Sequence, residues 1–209
     1  MSLAGEKLVP FVIYKGKKTR GSTVYCEFTN PSFDYPDLLE YNVQKEAWMD
    51  MELMLCWIEQ VWRPWTIGRG RTYLLLDSFK AHKTTQVLNA LTACNTVVNF
   101  IPPGYTSKLQ TLDVGVNKPF KGYLKEEYEK FMFEFTKKGE DNVQPKCWNV
   151  AQWIDIGWDK ISTETITNTW RRIGIGENGD ENLDVEIYND ILNLLANNNA
   201  SDDVNDDEE

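Results

Sequence analysis

The sequence is poor in the residues that build thiolate and imidazole metal sites, with four cysteines and one histidine in 209 residues. The cysteines are far apart and form no Cys-x-x-Cys pair, which argues against a structural zinc site. No apolar run approaches about 18 residues and the first residues lack a signal-peptide layout, so we expect no membrane span and no secretion. Reduced thiols in the cytosol or nucleus fit this composition best.

The net charge of −10 taken alone disfavours a nucleic-acid partner. The distribution of the charged residues along the chain changes this interpretation. Residues 177–209 contain twelve Asp and Glu and no Lys or Arg, which leaves 20 acids and 22 bases in the rest of the chain. Residues 61–125 contain nine bases and two acids, Asp77 and Asp113. Such a stretch can attract phosphates, although charge alone favours a merely solvated basic surface.

Apolar periodicity predicts an α/β domain with C-terminal helices. The runs TYLLLD and NTVVNFIP, with a helical pattern between them, predict a parallel strand pair joined by a crossover helix. Trp48 and the other helically spaced tryptophans are expected to pack in the core. The predicted strands begin at Lys7, Ser22, Thr72 and Asn95, and the predicted helices cover 45–62 (ended by Pro64), 84–93, a long stretch after Leu112, 150–160, 162–173 and 185–195.

The composition divides the chain into three parts. Residues 1–176 are predicted to form the main domain and residues 177–200 a helical extension. Residues 201–209 are acidic and nearly free of apolar side chains, so we expect them to be disordered.

Asp77 and Asp113 are the candidate catalytic and metal-binding residues. Asp77 ends a buried strand, and Asp113 follows the next strand after a turn, so adjacent strand ends could bring both carboxylates together. Mg²⁺ prefers a few carboxylate oxygens together with waters and phosphate. From spacing alone, the commoner interpretation is that both aspartates are helix N-caps.

The side chains around this pair admit ordinary interpretations as well. His82 follows Asp77 by five positions and could face the site, but a histidine on a helix surface is the commoner interpretation. Exposed lysines usually bind nothing specific. The candidate phosphate-contacting lysines are Lys80, Lys83, Lys108, Lys118 and Lys121.

Three segments, LLLDSFKAHKT, VVNFIPPGYTSKLQTLDVGVNKPFKGYL and WIDIGWDKISTETITNTWRRIGI, together resemble the DDE superfamily endonuclease domain of pogo-type transposases. That family includes jerky and centromere-protein-B-like relatives. The upstream segments LVPFVIYKGK and AWMDMELMLCWIEQVW are similar to it too, so that the resemblance covers roughly residues 5 to 195. Residues 101–121 carry its most specific part.

The resemblance implies an RNase H-like fold, in which a five-stranded mixed sheet is flanked by helices. It also implies three carboxylates that bind two divalent ions, Mg²⁺ or Mn²⁺, and cleave DNA for strand transfer in the nucleus. Asp77 matches the second carboxylate and Asp113 the third. The first carboxylate and its strand lie upstream of the KLVPFVIYKGK strand in the family, so we expect the first strands to be missing here.

The chain then resembles a truncated gene model, a decayed transposon copy or a fragment of a longer protein, and we expect it to be inactive alone. Three interpretations stay open: a DDE-type endonuclease domain, a non-catalytic nuclear DNA-binding or scaffold protein on the same fold, and an unrelated α/β protein with capped helices. DNA is the expected partner. Homo-oligomerisation, and whether this chain binds a cation at all, are left open.

Overall fold

The computed structural model describes residues 1–18, 27, 28, 30, 32–139 and 143–175, which form an α/β arrangement of short strands and helices. The predicted extension 177–200 and tail 201–209 lie outside the described residues. The strands are β1 (Phe11–Lys15), β2 (Glu40–Gln44), β3 (Thr72–Asp77) and β4 (Thr96–Ile101). The helices are α1 (Met51–Trp57), α2 (Arg63–Thr66), α3 (Thr85–Ala93), α4 (Thr106–Leu109), α5 (Asn117–Lys137), α6 (Cys147–Asp159) and α7 (Thr163–Arg172).

The described strands form two separate parallel pairs, β1 with β2 and β3 with β4. The β3–β4 pair, with α3 between its strands in the chain, confirms the predicted parallel unit. Its register sets Asp77 opposite Ile101. The sequence did not predict β2, and a single mixed sheet of the RNase H-like kind remains a prediction.

The first helical stretch begins at Met51, so its predicted start at Lys45 is wrong. Asp50 caps the helix by accepting a hydrogen bond from the Leu53 backbone N–H at 2.9 Å. Trp48 therefore precedes the helix and is 67% exposed, which contradicts its predicted place in the core.

The same helical stretch continues past Pro64, where the sequence predicted its end. A π-helical turn, Ile58–Trp62, follows α1, and α2 then extends to Thr66. Pro64 lies in the first turn of α2, where the missing N–H of proline is tolerated. The predicted strand from Ser22 is wrong at its end, because Glu27 and Phe28 are helical; its residues 22–26 are not described.

The described residues form three hydrophobic clusters, of which the first and the third contact the β3–β4 pair. The first contains Met54, Ile58, Trp62, Val87, Leu91 and Cys94, and Leu74, Leu76 and Val98 of the strands pack against it. The second contains Val116, Ile161 and Ile166, and the third contains Ile173 and Ile175. None of the described helices combines the length and apolar character needed to cross a membrane.

The end of the described chain agrees with the sequence. Ser162 caps α7 by accepting from the Thr165 N–H at 3.1 Å, and Gly174 follows its last turn with a positive φ of 76°.

Candidate metal and nucleic-acid site

Asp77 is the last residue of β3, and its carboxylate is held through one oxygen. Oδ1 lies 2.7 Å from Nδ1 of His82 and accepts the backbone N–H of Phe79 at 3.3 Å. Ser78 donates its hydroxyl to the Ile101 carbonyl at 2.6 Å, which ties the ends of β3 and β4 together. Oδ2 of Asp77 has no hydrogen-bonding partner among the described residues, and the side chain is 32% exposed. Asp77 is not a helix N-cap.

Asp113 lies inside a π-helical turn, Leu112–Val116, that leads into α5. It is exposed, and its Oδ1 accepts a hydrogen bond from the side-chain amide of Asn117 at 2.6 Å. The turn begins after Thr111, so Asp113 does not cap it either, and neither aspartate has the capping role that spacing alone favoured. Asn117 was missed in the sequence, although its i+4 position places it on the same helical face.

A shared hydrophobic contact draws the two segments toward one region. Leu75 of β3 and Val114 of the π-helical turn both pack against Ile173 and Ile175. Leu75 lies on the same face of β3 as Asp77, because side chains alternate along a strand, and Val114 is the neighbour of Asp113. The strand that carries Asp77 and the turn that carries Asp113 therefore contact the same small cluster, formed by Ile173 and Ile175.

The π-helical turn is also docked on α7. A Cβ atom at Gly115 would lie 2.3 Å from Oγ1 of Thr169, whose side chain is buried. Only glycine therefore permits this close approach, which fixes the position of the turn that carries Asp113.

His82 belongs to this site, and its interpretation as a surface histidine is wrong. Only 14% of its side chain is exposed, and its ring meets Phe79 edge-on with centroids 5.7 Å apart. The five-residue spacing after Asp77 was the signal in the sequence, since the 3₁₀ turn Lys80–Lys83 folds the imidazole back toward the strand end.

Five exposed lysines lie between positions 80 and 121, in the stretch of chain that follows Asp77 and includes Asp113. None of them forms an ion pair with a described residue. Two lie over aromatic rings, Lys83 over Phe100 at 5.1 Å and Lys108 over Tyr105 at 5.4 Å. The other three are Lys80, Lys118 and Lys121. Farther along α5, by contrast, the lysines pair with glutamates of the same helix; these pairs are Lys125–Glu129, Lys130–Glu127 and Lys137–Glu134.

Asp77 and Asp113 are donors of the chemical type that hard divalent cations take. Among the described residues, Asp77 and Asp113 each have one oxygen without a hydrogen-bonding partner, and Mg²⁺ is commonly bound by one or two carboxylates together with waters and phosphate. Within the described part of the chain, no three His, Cys, Asp or Glu side chains are grouped closely enough to hold a metal ion. A pair of divalent ions requires more ligands than two carboxylates.

Carboxylates that hold a divalent cation and basic side chains that attract phosphates are features of proteins that handle phosphodiesters. Asp77, Asp113 and the exposed lysines are residues of these types. The comparison with known families agrees with this class. The family model described as DDE superfamily endonuclease matches residues 2–170, and the chain belongs to that family, in its pogo-type branch.

The chain is 31% identical over 186 residues to the human protein "Pogo transposable element with KRAB domain", a match that covers 87% of this chain and 29% of that protein. It is 26% identical over 126 residues to the human "Pogo transposable element with ZNF domain", covering 60% and 8%, respectively. It is 25% identical over 144 residues to the mouse "Jerky protein", covering 65% and 24%. The chain thus spans less than a third of each of these relatives, and no solved structure matches it.

Proposed function

We propose that this chain is the DNA-binding and metal-binding part of a DDE-type endonuclease, with Asp77 and Asp113 as ligands of a divalent cation, Mg²⁺ or Mn²⁺. The observation that carries the proposal is that the two carboxylates have the same pattern of hydrogen bonds. Each is held through Oδ1 by a nitrogen donor a few residues downstream, His82 or Asn117, and each keeps Oδ2 without a partner among the described residues.

The lysines supply the electrostatic part of the proposal. Lys80 and Lys83 follow Asp77 within six positions, and Lys118 follows Asp113 by five, so positive charge flanks each carboxylate in the chain. Because these lysines have no ion-pair partner in the described chain, their charges are available to DNA phosphates. With DNA as the partner, we propose the nucleus as the location of the protein.

The residues divide the work of phosphodiester cleavage between them. Asp77 and Asp113 hold the cation, and the lysines position the DNA backbone and offset its charge. When bound, the cation supplies Lewis-acid polarisation of a phosphoryl oxygen and lowers the pKa of a bound water.

The test is a titration of the whole chain with Mn²⁺, in which water-proton relaxation measures the binding. We expect saturable binding by the wild type and strong loss in Asp77→Asn and in Asp113→Asn, because each substitution removes a charged ligand at nearly constant size. Asp159→Asn is the matched control, since that carboxylate is 95% exposed and lies away from both aspartates in the sequence. Equal binding by the wild type and both site variants would exclude the assignment.

The second candidate function is a non-catalytic DNA-binding or scaffold role on the same fold. The observation in its favour is that the described residues contain no group of three or more His, Cys, Asp or Glu side chains that could hold a metal ion. On this basis, we expect the chain alone not to nick supercoiled DNA with Mg²⁺ or Mn²⁺, because two-ion chemistry lacks a ligand. Nicking by the wild type that disappears in Asp77→Ala would show a complete active site.

A further inference from the structure

The single histidine of the chain contacts the candidate metal site through a defined ring nitrogen. Nδ1 of His82 lies 2.7 Å from Oδ1 of Asp77 and 3.4 Å from the Asp77 backbone oxygen. A carboxylate oxygen and a carbonyl oxygen both accept hydrogen bonds, so Nδ1 must carry the proton that joins them.

The fold encloses the hydrogen-bond donor, the imidazole of His82, more than the acceptor, the carboxylate of Asp77. The His82 backbone N–H donates to the Phe79 carbonyl at 3.0 Å, and its neighbour Ala81 is buried, which anchors the 3₁₀ turn. The imidazole is largely enclosed and packs edge-on against Phe79, whereas the Asp77 side chain is 32% exposed. The histidine can therefore set the orientation of the carboxylate.

We propose that His82 is a positioning residue for the metal site: its Nδ1–H holds Oδ1 of Asp77, which leaves Oδ2 as the oxygen that would bind a cation. The Phe79 backbone N–H adds a second, longer bond to the same Oδ1. Donors of this kind orient metal ligands and contribute strongly to metal affinity. The inference deepens the proposed function and rests on it.

Two substitutions separate this role from simple packing. His82→Asn places an amide N–H near the position of Nδ1 and removes the ring. His82→Phe keeps a ring against Phe79 and removes the donor. If His82 positions Asp77, His82→Asn should bind the metal more tightly than His82→Phe. If His82 serves only for packing, His82→Phe should bind it more tightly.

The first readout is Mn²⁺ affinity of the full chain by water-proton relaxation. We expect His82→Phe to lose about 10- to 100-fold in affinity, as for other lost partners of metal ligands, and His82→Asn to stay close to the wild type. Wild-type affinity in His82→Phe, or an equal loss in both variants, would overturn the inference and leave the proposed function standing. No saturable Mn²⁺ binding by the wild type would instead overturn the proposed function, and the positioning role with it.

The second readout needs neither metal nor substitution. Because the chain has one histidine, a long-range ¹H–¹⁵N spectrum contains a single imidazole, and its nitrogen shifts report which ring atom is protonated. We expect Nδ1 to be protonated at every pH at which the protein is folded. An imidazole with its proton on Nε2 alone would contradict the hydrogen bond to Asp77 and overturn the inference.

Discussion

The two lysines at the start of α5 provide a direct test of the DNA-facing surface. Lys118 and Lys121 are three positions apart, so they lie on one face of the helix, and neither is paired with a described acidic residue. We expect the double variant Lys118→Gln/Lys121→Gln to bind duplex DNA more weakly and with a smaller dependence on salt, whatever the DNA sequence.

The magnitude follows from counterion release. Each phosphate contact contributes about −0.9 to the slope of log K against log salt, so five contacting lysines give a slope of about −4.5 and loss of two gives about −2.7. Between about 50 and 200 mM salt, the wild type should therefore lose about 500-fold in affinity and the double variant about 40-fold. Fluorescence anisotropy with a labelled duplex measures both slopes.

A matched control is available farther along the same helix. Lys130→Gln/Lys137→Gln removes the same charge, but these lysines are paired with Glu127 at 2.6 Å and Glu134 at 3.6 Å. We expect this control to leave the slope close to that of the wild type. The reasoning fails if the control lowers the slope as much as the first pair does, or if neither variant changes it.

Two further predictions concern stability. Gly115→Ala should destabilise the fold by about 1–3 kcal/mol in urea unfolding, since its Cβ would meet the buried Thr169; an unchanged midpoint would mean that the π-helical turn is not tightly docked. Lys130 and Lys160 hydrogen-bond Glu127 and hold the pKa of its carboxyl below the ordinary value of 4.5. A carboxyl whose pKa is lower in the folded than in the unfolded state stabilises the fold at pH values above the unfolded pKa. This stabilisation is lost as the pH falls through the folded pKa. Glu127→Gln should thus be less stable than the wild type at pH 7 and equally stable in acid, whereas a constant difference would refute this.

The sequence predicted best where local signals and burial agree. The β3–α3–β4 unit could be predicted because TYLLLD and NTVVNFIP are nearly all apolar and each ends at a polar residue or a proline turn. The C-terminal end of α7 could be predicted because Ser162 and Gly174 are strong capping signals.

The failures have identifiable physical causes. Residues 45–49 continue the apolar pattern of the next helix, but Ala47 adopts a positive φ of 59° and Asp50 takes the cap, so that Trp48 is exposed. Pro64 did not end the helix because the preceding π-helical turn places it in a new first turn.

At the candidate site, the sequence predicted Asp77 and Asp113 as ligands, which stays a prediction, but it did not predict the groups that hydrogen-bond them. His82 was interpreted as a surface residue because a helical spacing was assumed where the chain forms a 3₁₀ turn. Asn117 attracted no attention because asparagine on a helix face is common. Such contacts depend on turn geometry and on tertiary packing, which residue types and spacing do not specify.

The most direct test of the account is an anomalous-diffraction measurement on crystals of this chain soaked in Mn²⁺. The account predicts one manganese peak coordinated by Oδ2 of Asp77 and by an oxygen of Asp113, with His82 Nδ1 still on Oδ1 of Asp77. Carboxylate oxygens of Asp77 and Asp113 that all lie more than about 6 Å apart, too far for one ion with metal–oxygen bonds of about 2 Å, or a manganese peak bound elsewhere, would contradict it.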